Sequence, residues 1–328
     1  EAISAEGIET FIYDSVSVEP TDLSFKAAIV AAREEKPDAF VAIGGGSVMD
    51  TAKAANLYYS YPDDFLAYIN APIGLGKPCP GPVKPLIAIP TTAGTGSETQ
   101  SFALISDADS HIKMACGDKK ARFRAVILDP TLIASVPRQV AAATGIDAIA
   151  HALETYVTTR RNPMSLVFSR EAWQLLASNF PRVLEDGSCL EARAAMQLGA
   201  CLAGVAIENS MLGAAHSLAN PLTSEYGILH GQAIAIMLPH VIRFNGKQCG
   251  DQYAELLSGT HALDDRLRAF IPAHRVDGDL HDQPASLARA GADLSVDDLA
   301  TAIETVRGDV VTQVSGAGLL VLGQGRCT

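Results

Sequence analysis

The spacing of hydrophobic residues changes near residue 130, and this change limits the possible folds more than any other feature. Before LDP (128–130), short apolar runs such as DAFVAIGGG (38–46) and PLIAIP (85–90) alternate with segments of helical spacing. Alternating strands and helices predict a mainly parallel sheet covered on both faces. From about residue 139 the sequence is rich in Ala and Leu at helical spacing. We therefore predict an α/β domain over 1–138 and an all-α domain over 139–328.

Local signals place the individual elements. Thr21 is expected to cap a helix to about residue 36, and Ser47 a second helix, with Asp50 as its capping-box partner. Residues 316–328 offer no interpretable pattern. Further strands are predicted near 9–14, 101–106, 111–116 and 125–128, and further helices near 139–158, 164–184, 189–207, 210–223 and 230–244.

Composition and charge argue against several classes of binding partner. The net charge is −12 without any basic run, which argues against nucleic acid. No uninterrupted apolar stretch of about 18 residues and no basic-then-apolar leader is seen, which argues against membrane insertion and secretion. The six cysteines form no C-x-x-C pair, as expected of reduced thiols. We expect a cytoplasmic protein that acts on small molecules.

Four residues suggest a metal site. Asp147 and His151 are four residues apart on a predicted helix, so they share one face. His216 and His230, with thirteen residues between them, add two imidazoles. One carboxylate and three imidazoles suit Fe²⁺ or Zn²⁺ better than Ca²⁺. The alternative is that these are unrelated polar residues on helices. Glu154, near a helix end, is expected to be exposed to solvent.

Two glycine-rich turns follow predicted strands. GGGSVMD (44–50) precedes a helix, and PTTAGTGSE (90–98) is crowded with hydroxyl groups. Backbone amides at a helix N-terminus attract phosphate, and open α/β sheets bind ligands at their strand ends. Either turn alone is no more than a tight connection, but the two together favour a dinucleotide.

Taken with LDP, TGIDAIAHALETY (144–156) and HSLANPLTSEYGILHG (216–231), these motifs resemble the iron-containing (group III) alcohol dehydrogenases over about 38–245. The resemblance implies a Rossmann-like domain followed by a helical bundle, the dehydroquinate synthase-like architecture. It implies Asp147, His151, His216 and His230 as ligands of Fe²⁺ or Zn²⁺. The loop DFLAYINAPIGLGKP (64–78) is similar to the branch that contains hydroxyacid–oxoacid transhydrogenases.

The resemblance also implies an NAD or NADP site. Lys113 would contact a ribose or is simply an exposed strand lysine, and the segment from Leu132 to Val136 would line the adenosine. The positions implied for pyrophosphate are Gly45, Gly46, Ser47 and Asp50, and those for phosphate, ribose and nicotinamide are Thr91, Thr92, Thr95 and Ser97.

The expected activity is reversible hydride transfer between an alcohol and its aldehyde or ketone, by a homodimer or higher homo-oligomer. One alternative is a transhydrogenase that retains its nicotinamide. The other is a truncated, inactive member, because the chain begins tens of residues later than the family pattern and its ending is atypical. Asn220 stands where many relatives have a second histidine, and it cannot relay a proton at neutral pH.

Overall fold

The computed structural model describes residues 2–258 and 318–322. They fall into two compact units: the first extends to Ile133 and includes the strand near the C-terminus, and the second begins at Ala134. The boundary predicted from the sequence, between 138 and 139, falls at the beginning of the first long helix of the second unit. Residues 259–317 of the predicted helical domain lie outside the described part.

A five-stranded sheet organises the first unit, which begins with a short helix, α1 (Ala2–Ala5). Its strands are β1 (Thr10–Tyr13), β2 (Ala39–Gly44), β3 (Leu86–Pro90), β6 (Ala125–Val126) and β7 (Gly318–Leu322), in the order β1-β7-β2-β3-β6. β2, β3 and β6 are parallel, with Val41 opposite Ile87 and Ile87 opposite Ala125. β7 runs antiparallel to β1 and β2. The sheet is therefore mixed, and its antiparallel strand comes from the segment that the sequence left without interpretation.

Two helices, α2 (Asp22–Glu35) and α3 (Gly46–Ser60), follow β1 and β2. Thr21 caps α2, as predicted, and the structure adds a capping box with Ser24. The cap predicted for α3 is wrong, because Gly45 is the N-cap and Ser47 lies inside the first turn. A separate antiparallel pair is formed by β4 (Phe102–Ser106) and β5 (Lys113–Gly117).

The second unit is helical in its described part. Its helices are α4 (Arg138–Val157), α5 (Pro163–Glu185), α6 (Leu190–Asn209), α7 (Ala214–Tyr226) and α8 (His230–Ser258). α4 packs against α5, α6 and α8, and small alanine side chains on its buried faces permit this close packing. α6 is long and apolar enough to span a membrane, but 61% of its apolar window is buried inside the protein, as in a core helix. The predicted succession of α/β and all-α structure is confirmed.

Candidate metal centre and nucleotide turns

One face of α4 carries two of the predicted metal ligands. Asp147 and His151 are both 4% exposed, and His151 Nε2 lies 3.5 Å from Asp147 Oδ1. Their separation of four residues places both side chains on the side of α4 that is covered by other helices. An acid buried this deeply among alanine and isoleucine needs charged or hydrogen-bonding partners.

α7 and α8 supply those partners. His216, on the first turn of α7, places Nε2 at 3.3 Å from Asp147 Oδ1, and His230, the first residue of α8, places Nε2 at 3.6 Å from the same oxygen. The rings of His151 and His216 stack with centroids 4.6 Å apart. The structure thus brings all four predicted ligands together, with three imidazole nitrogens around a single carboxylate oxygen.

Gly231 explains how His230 reaches this group. A Cβ atom at position 231 would lie 2.2 Å from the backbone oxygen of Ala143, in α4. Any larger residue would therefore push the beginning of α8 away from α4. The close approach of the two backbones carries His230 to Asp147.

The expectation that Glu154 is exposed to solvent is wrong. It is 3% exposed, its Oε2 lies 2.5 Å from Nδ1 of His216, and its Oε1 accepts a hydrogen bond of 2.6 Å from the backbone N–H of Ala215. Sequence reasoning missed this residue, although the signal was present. Asp147, His151 and Glu154 follow at i, i+4 and i+7, which places them on one face of α4.

The charges in this group are strongly coupled. Burial would raise the pKa of Asp147, but the three surrounding imidazoles hold it well below its usual range. Burial lowers the pKa of His151 to about 4. Burial also acts to lower the pKa of His216, yet its hydrogen bonds with Asp147 and Glu154 raise it to about 9. Two buried carboxylates therefore stabilise positive charge at the point where the nitrogens meet.

The donor set fits a metal ion. Ligand atoms of Asp147, His151 and His216 all lie within 4.8 Å of one another, and His230 adds a fourth donor 3.6 Å from Asp147. Zinc–ligand bonds of about 2.0–2.1 Å in a tetrahedron place neighbouring donors roughly 3.3–3.4 Å apart. The observed spacings to Asp147 Oδ1, 3.3–3.6 Å, are close to this value. Nitrogen donors with one carboxylate suit Fe²⁺ or Zn²⁺.

The first glycine-rich turn fits a phosphate. Gly45 is the N-cap of α3 and no side chain caps it in the described structure, so the first amides of α3 keep their hydrogen-bonding capacity. Gly45, Gly46 and Ser47 are partly exposed. The second turn is held next to it, because Thr91 N–H donates to the carbonyl of Gly44 over 2.9 Å. Thr91, Thr92 and Thr95 are partly exposed as well.

Asp50 and Ser97 lie beneath these turns and are 8% and 5% exposed. Asp50 forms an ion pair of 2.9 Å with Lys53, accepts the hydroxyl hydrogen of Ser97, and accepts the N–H of Leu104 over 2.8 Å. Lys53, 2% exposed, donates to the carbonyl oxygens of Ser97 and Phe102. This buried group, Asp50–Lys53–Ser97, ties the second turn to α3. Direct contacts of Asp50 and Ser97 with pyrophosphate stay predictions.

The remaining predicted cofactor residues have varied surroundings. Lys113, on β5, forms an ion pair with Glu19. Leu132 is 41% exposed, and the carbonyl of Val136 accepts a hydrogen bond of 3.0 Å from Arg193. Their contacts with a nucleotide stay predictions.

Two family profiles match the chain. Residues 1–130 match "Iron-containing alcohol dehydrogenase", and residues 141–291 match "Fe-containing alcohol dehydrogenase family, C-terminal". Together they include every residue of the metal group and of the two glycine-rich turns.

Curated relatives and solved structures agree with these profiles. The mitochondrial hydroxyacid-oxoacid transhydrogenase of Xenopus laevis is 36% identical over 76% of this chain and 61% of its own length, and that of Mus musculus is 34% identical over 96% and 74%. The chain therefore spans less than two thirds of the frog protein. A 1,3-propanediol oxidoreductase structure has a TM-score of 0.71 and 26% identity over 93% of this chain and 71% of its own. The sulfoacetaldehyde reductase of Bifidobacterium kashiwanohense, in complex with NAD⁺, has a TM-score of 0.68 and 25% identity over 89% and 76%. These structures confirm the Rossmann-like domain followed by a helical domain.

The expected cytoplasmic location is wrong by this comparison. The relatives from frog, mouse, cattle and human all carry the word mitochondrial in their names. The expectation depended on the lack of a visible leader pattern, which does not decide where a protein resides.

Proposed function

This chain belongs to the iron-containing alcohol dehydrogenase family, and we propose that it catalyses metal-dependent hydride transfer between a hydroxyacid and an oxoacid through a nicotinamide cofactor. The family supports an oxidoreductase with a metal and NAD(P). The choice of hydroxyacid and oxoacid is supported by relatives named for that reaction, which align with up to 96% of the chain. We also propose a mitochondrial location, for the same reason.

The observation that carries the proposal is the convergence of three imidazoles on Asp147 Oδ1. Asp147, His151, His216 and His230 would hold the metal. A divalent ion bound there supplies a Lewis acid that lowers the pKa of a substrate hydroxyl and polarises a carbonyl. The chain itself supplies the burial that keeps water from three of the four ligands.

Access to the site follows from the exposure of its ligands. The side chains of Asp147, His151 and His216 are 5–8% exposed, whereas that of His230 is 29% exposed. We place the approach of the substrate on the side of His230. Asn220, exposed on α7, carries no titratable group, so the substrate proton leaves to water or to another group.

The two glycine-rich turns would hold the nucleotide. The amides of Gly46 and Ser47, at the N-terminus of α3, would donate to pyrophosphate, and the hydroxyls of Thr91, Thr92 and Thr95 would add further donors. Bound nicotinamide supplies the hydride acceptor and donor. The Asp50–Lys53–Ser97 group keeps the turns in place before the nucleotide arrives.

A labelling experiment tests the proposal. Protein loaded with Zn²⁺ or Fe²⁺ is given a hydroxyacid deuterated at the carbinol carbon together with a different oxoacid, and no nucleotide is added. A transhydrogenase moves deuterium into the second acid and retains one equivalent of nicotinamide after purification. Asp147→Asn, with its metal group disrupted, is the control and should transfer none.

An alcohol dehydrogenase that exchanges free NAD(P) is the second candidate, favoured by the likeness to 1,3-propanediol oxidoreductase. In that case deuterium appears in added NAD⁺ or NADP⁺, and transfer between acids requires the added nucleotide. Lack of transfer in both formats, by metal-loaded protein, would contradict both candidates and leave the inactive family member.

A further inference from the structure

The geometry points to Glu154 as a positioning residue that fixes the tautomer and ring orientation of His216, so that His216 Nε2 faces the metal. This inference depends on the ligand assignment in the proposed function. It adds a residue that is not among the four ligands and that lies about one helical turn beyond His151 on α4.

Glu154 connects two helices through two separate oxygens. Oε2 contacts Nδ1 of His216 at 2.5 Å, and Oε1 accepts from Ala215 N–H at 2.6 Å. The carboxylate is 3% exposed and lies between the imidazole of His216 and the backbone N–H of Ala215. An ionised carboxylate only accepts hydrogen bonds.

This acceptor determines where the imidazole hydrogen resides. Because Oε2 can only accept, Nδ1 of His216 carries a hydrogen, and in the neutral ring Nε2 then keeps its lone pair. That nitrogen lies 3.3 Å from Asp147 Oδ1, at the centre of the candidate metal group. A carboxylate that accepts from the second nitrogen of a ligating histidine is a common means of orienting the ring and raising its basicity.

The same carboxylate caps α7. Gly213 is the N-cap of this helix and contributes no side-chain hydrogen bond, so Glu154 takes the place of a cap by accepting from Ala215, the second helical residue. A Cβ atom at position 213 would lie 2.8 Å from Glu154 Oε1, so glycine makes room for the carboxylate. Since His216 follows Ala215 directly, the cap also fixes the backbone that carries the ligand.

His151 lacks a comparable carboxylate partner on its Nδ1 in the described part of the chain. Its Nδ1 is buried and has no hydrogen-bond partner among the residues that the structure describes. Its ring stacks on His216 with an angle of 19° between the planes. Fixing His216 therefore also restricts the neighbouring ring, and one carboxylate orders two imidazoles.

Zinc titration of the metal-free protein tests the inference. Glu154→Gln keeps the size of the side chain, and its oxygen can still accept from Ala215 N–H. Its NH₂ group then faces Nδ1 of His216 and favours hydrogen on Nε2, and in this tautomer Nε2 has no lone pair for the metal. We expect Zn²⁺ affinity to fall by about 10–100-fold. The thermal unfolding midpoint of the metal-free protein should change little.

Two further variants separate this inference from the ligand assignment. Glu98→Gln, an equally buried acid in the first unit, is the matched control and should bind Zn²⁺ like the original protein. His216→Ala should lose tight binding. If His216→Ala keeps wild-type affinity, the ligand assignment fails. If His216→Ala loses affinity while Glu154→Gln keeps it, only the role of Glu154 is refuted.

A measurement on the unaltered protein covers the case in which Glu154→Gln does not fold. Nitrogen-15 spectra of histidine-labelled, zinc-loaded protein should show His216 with hydrogen on Nδ1 and zinc on Nε2. His216→Ala identifies the signal by its loss. A His216 signal with zinc on Nδ1, or with Nδ1 lacking hydrogen, would overturn the inference.

Discussion

At the scale of single residues, Asp147 Oδ1 is the atom on which the metal group depends. Three imidazole nitrogens lie within 3.6 Å of it, on three different helices. The spacing of Asp147 and His151 in the sequence predicted their common face. The same spacing places Glu154 on this face as well, but its contacts with His216 and Ala215 could not be predicted, because they depend on where the first turn of α7 packs.

Asp147→Asn should bind Zn²⁺ more weakly by a factor larger than the roughly 10–100-fold typical of losing a residue that supports a ligand. The substitution removes a negative charge and keeps the shape, so the helical circular dichroism should be unchanged. Equilibrium dialysis followed by metal analysis gives the affinity. Unaltered zinc content at limiting metal would contradict the assignment of Asp147.

Glu98 gives a prediction for pH dependence. Burial raises its pKa to about 7 in the folded protein, above the ordinary value of 4.5. The folded state therefore binds the proton more tightly than the unfolded state, and this acid lowers stability progressively as the pH rises from 4.5 to 7. Below pH 4.5 this loss of stability is absent, and above pH 7 it has reached its full size.

Glu98→Gln should remove that pH dependence. Relative to the original protein, the variant should gain roughly 2 kcal/mol in the free energy of unfolding between pH 5.5 and pH 8. Urea unfolding of the metal-free proteins at both pH values measures the difference, and titrations common to both proteins cancel. A constant difference between the two pH values would mean that Glu98 titrates normally.

At the scale of elements, the helices and most strands follow from hydrophobic spacing, but the contacts between elements do not. Asp50 was expected to be the capping-box partner of Ser47. It instead lies beneath the turns and pairs with Lys53, because the N-cap of α3 is Gly45 and not Ser47. β7 was missed because its short apolar run, which follows a glycine, has neither the alternation of a half-buried strand nor the spacing of a helix. Its partners, β1 and β2, are about 280–310 residues earlier in the chain.

Lys53→Met should destabilise the first unit by about 3–5 kcal/mol, because it leaves the buried Asp50 without its counter-charge and frees the second turn. Asp50→Asn combined with Lys53→Met should recover part of this loss, since no buried charge then remains unpaired. Urea unfolding measures both. Asp50→Asn alone completes the cycle. If the loss in the double variant equals the sum of the losses in the two single variants, the two residues do not act as a pair.

At the scale of the whole molecule, the candidate sites for the two cofactors belong to different units. The metal group lies on α4, α7 and α8 of the second unit, and the glycine-rich turns belong to the first. The change in the spacing of hydrophobic residues near residue 130 predicts this division. Each ligand should therefore stabilise its own unit against local opening.

Hydrogen exchange read by mass spectrometry tests this division. Zn²⁺ alone should slow amide exchange in 138–157 and 214–232, while NAD⁺ alone should slow exchange in 44–51 and 90–98. Short labelling times favour local opening over global unfolding, so protection should stay within the segments that bind each ligand. His216→Ala should remove the zinc effect and keep the nucleotide effect, and Lys53→Met should do the reverse, because it loosens the turns and leaves the metal group intact. Zinc protection confined to 44–51 and 90–98 would instead place the metal in the first unit, away from every residue that converges on Asp147.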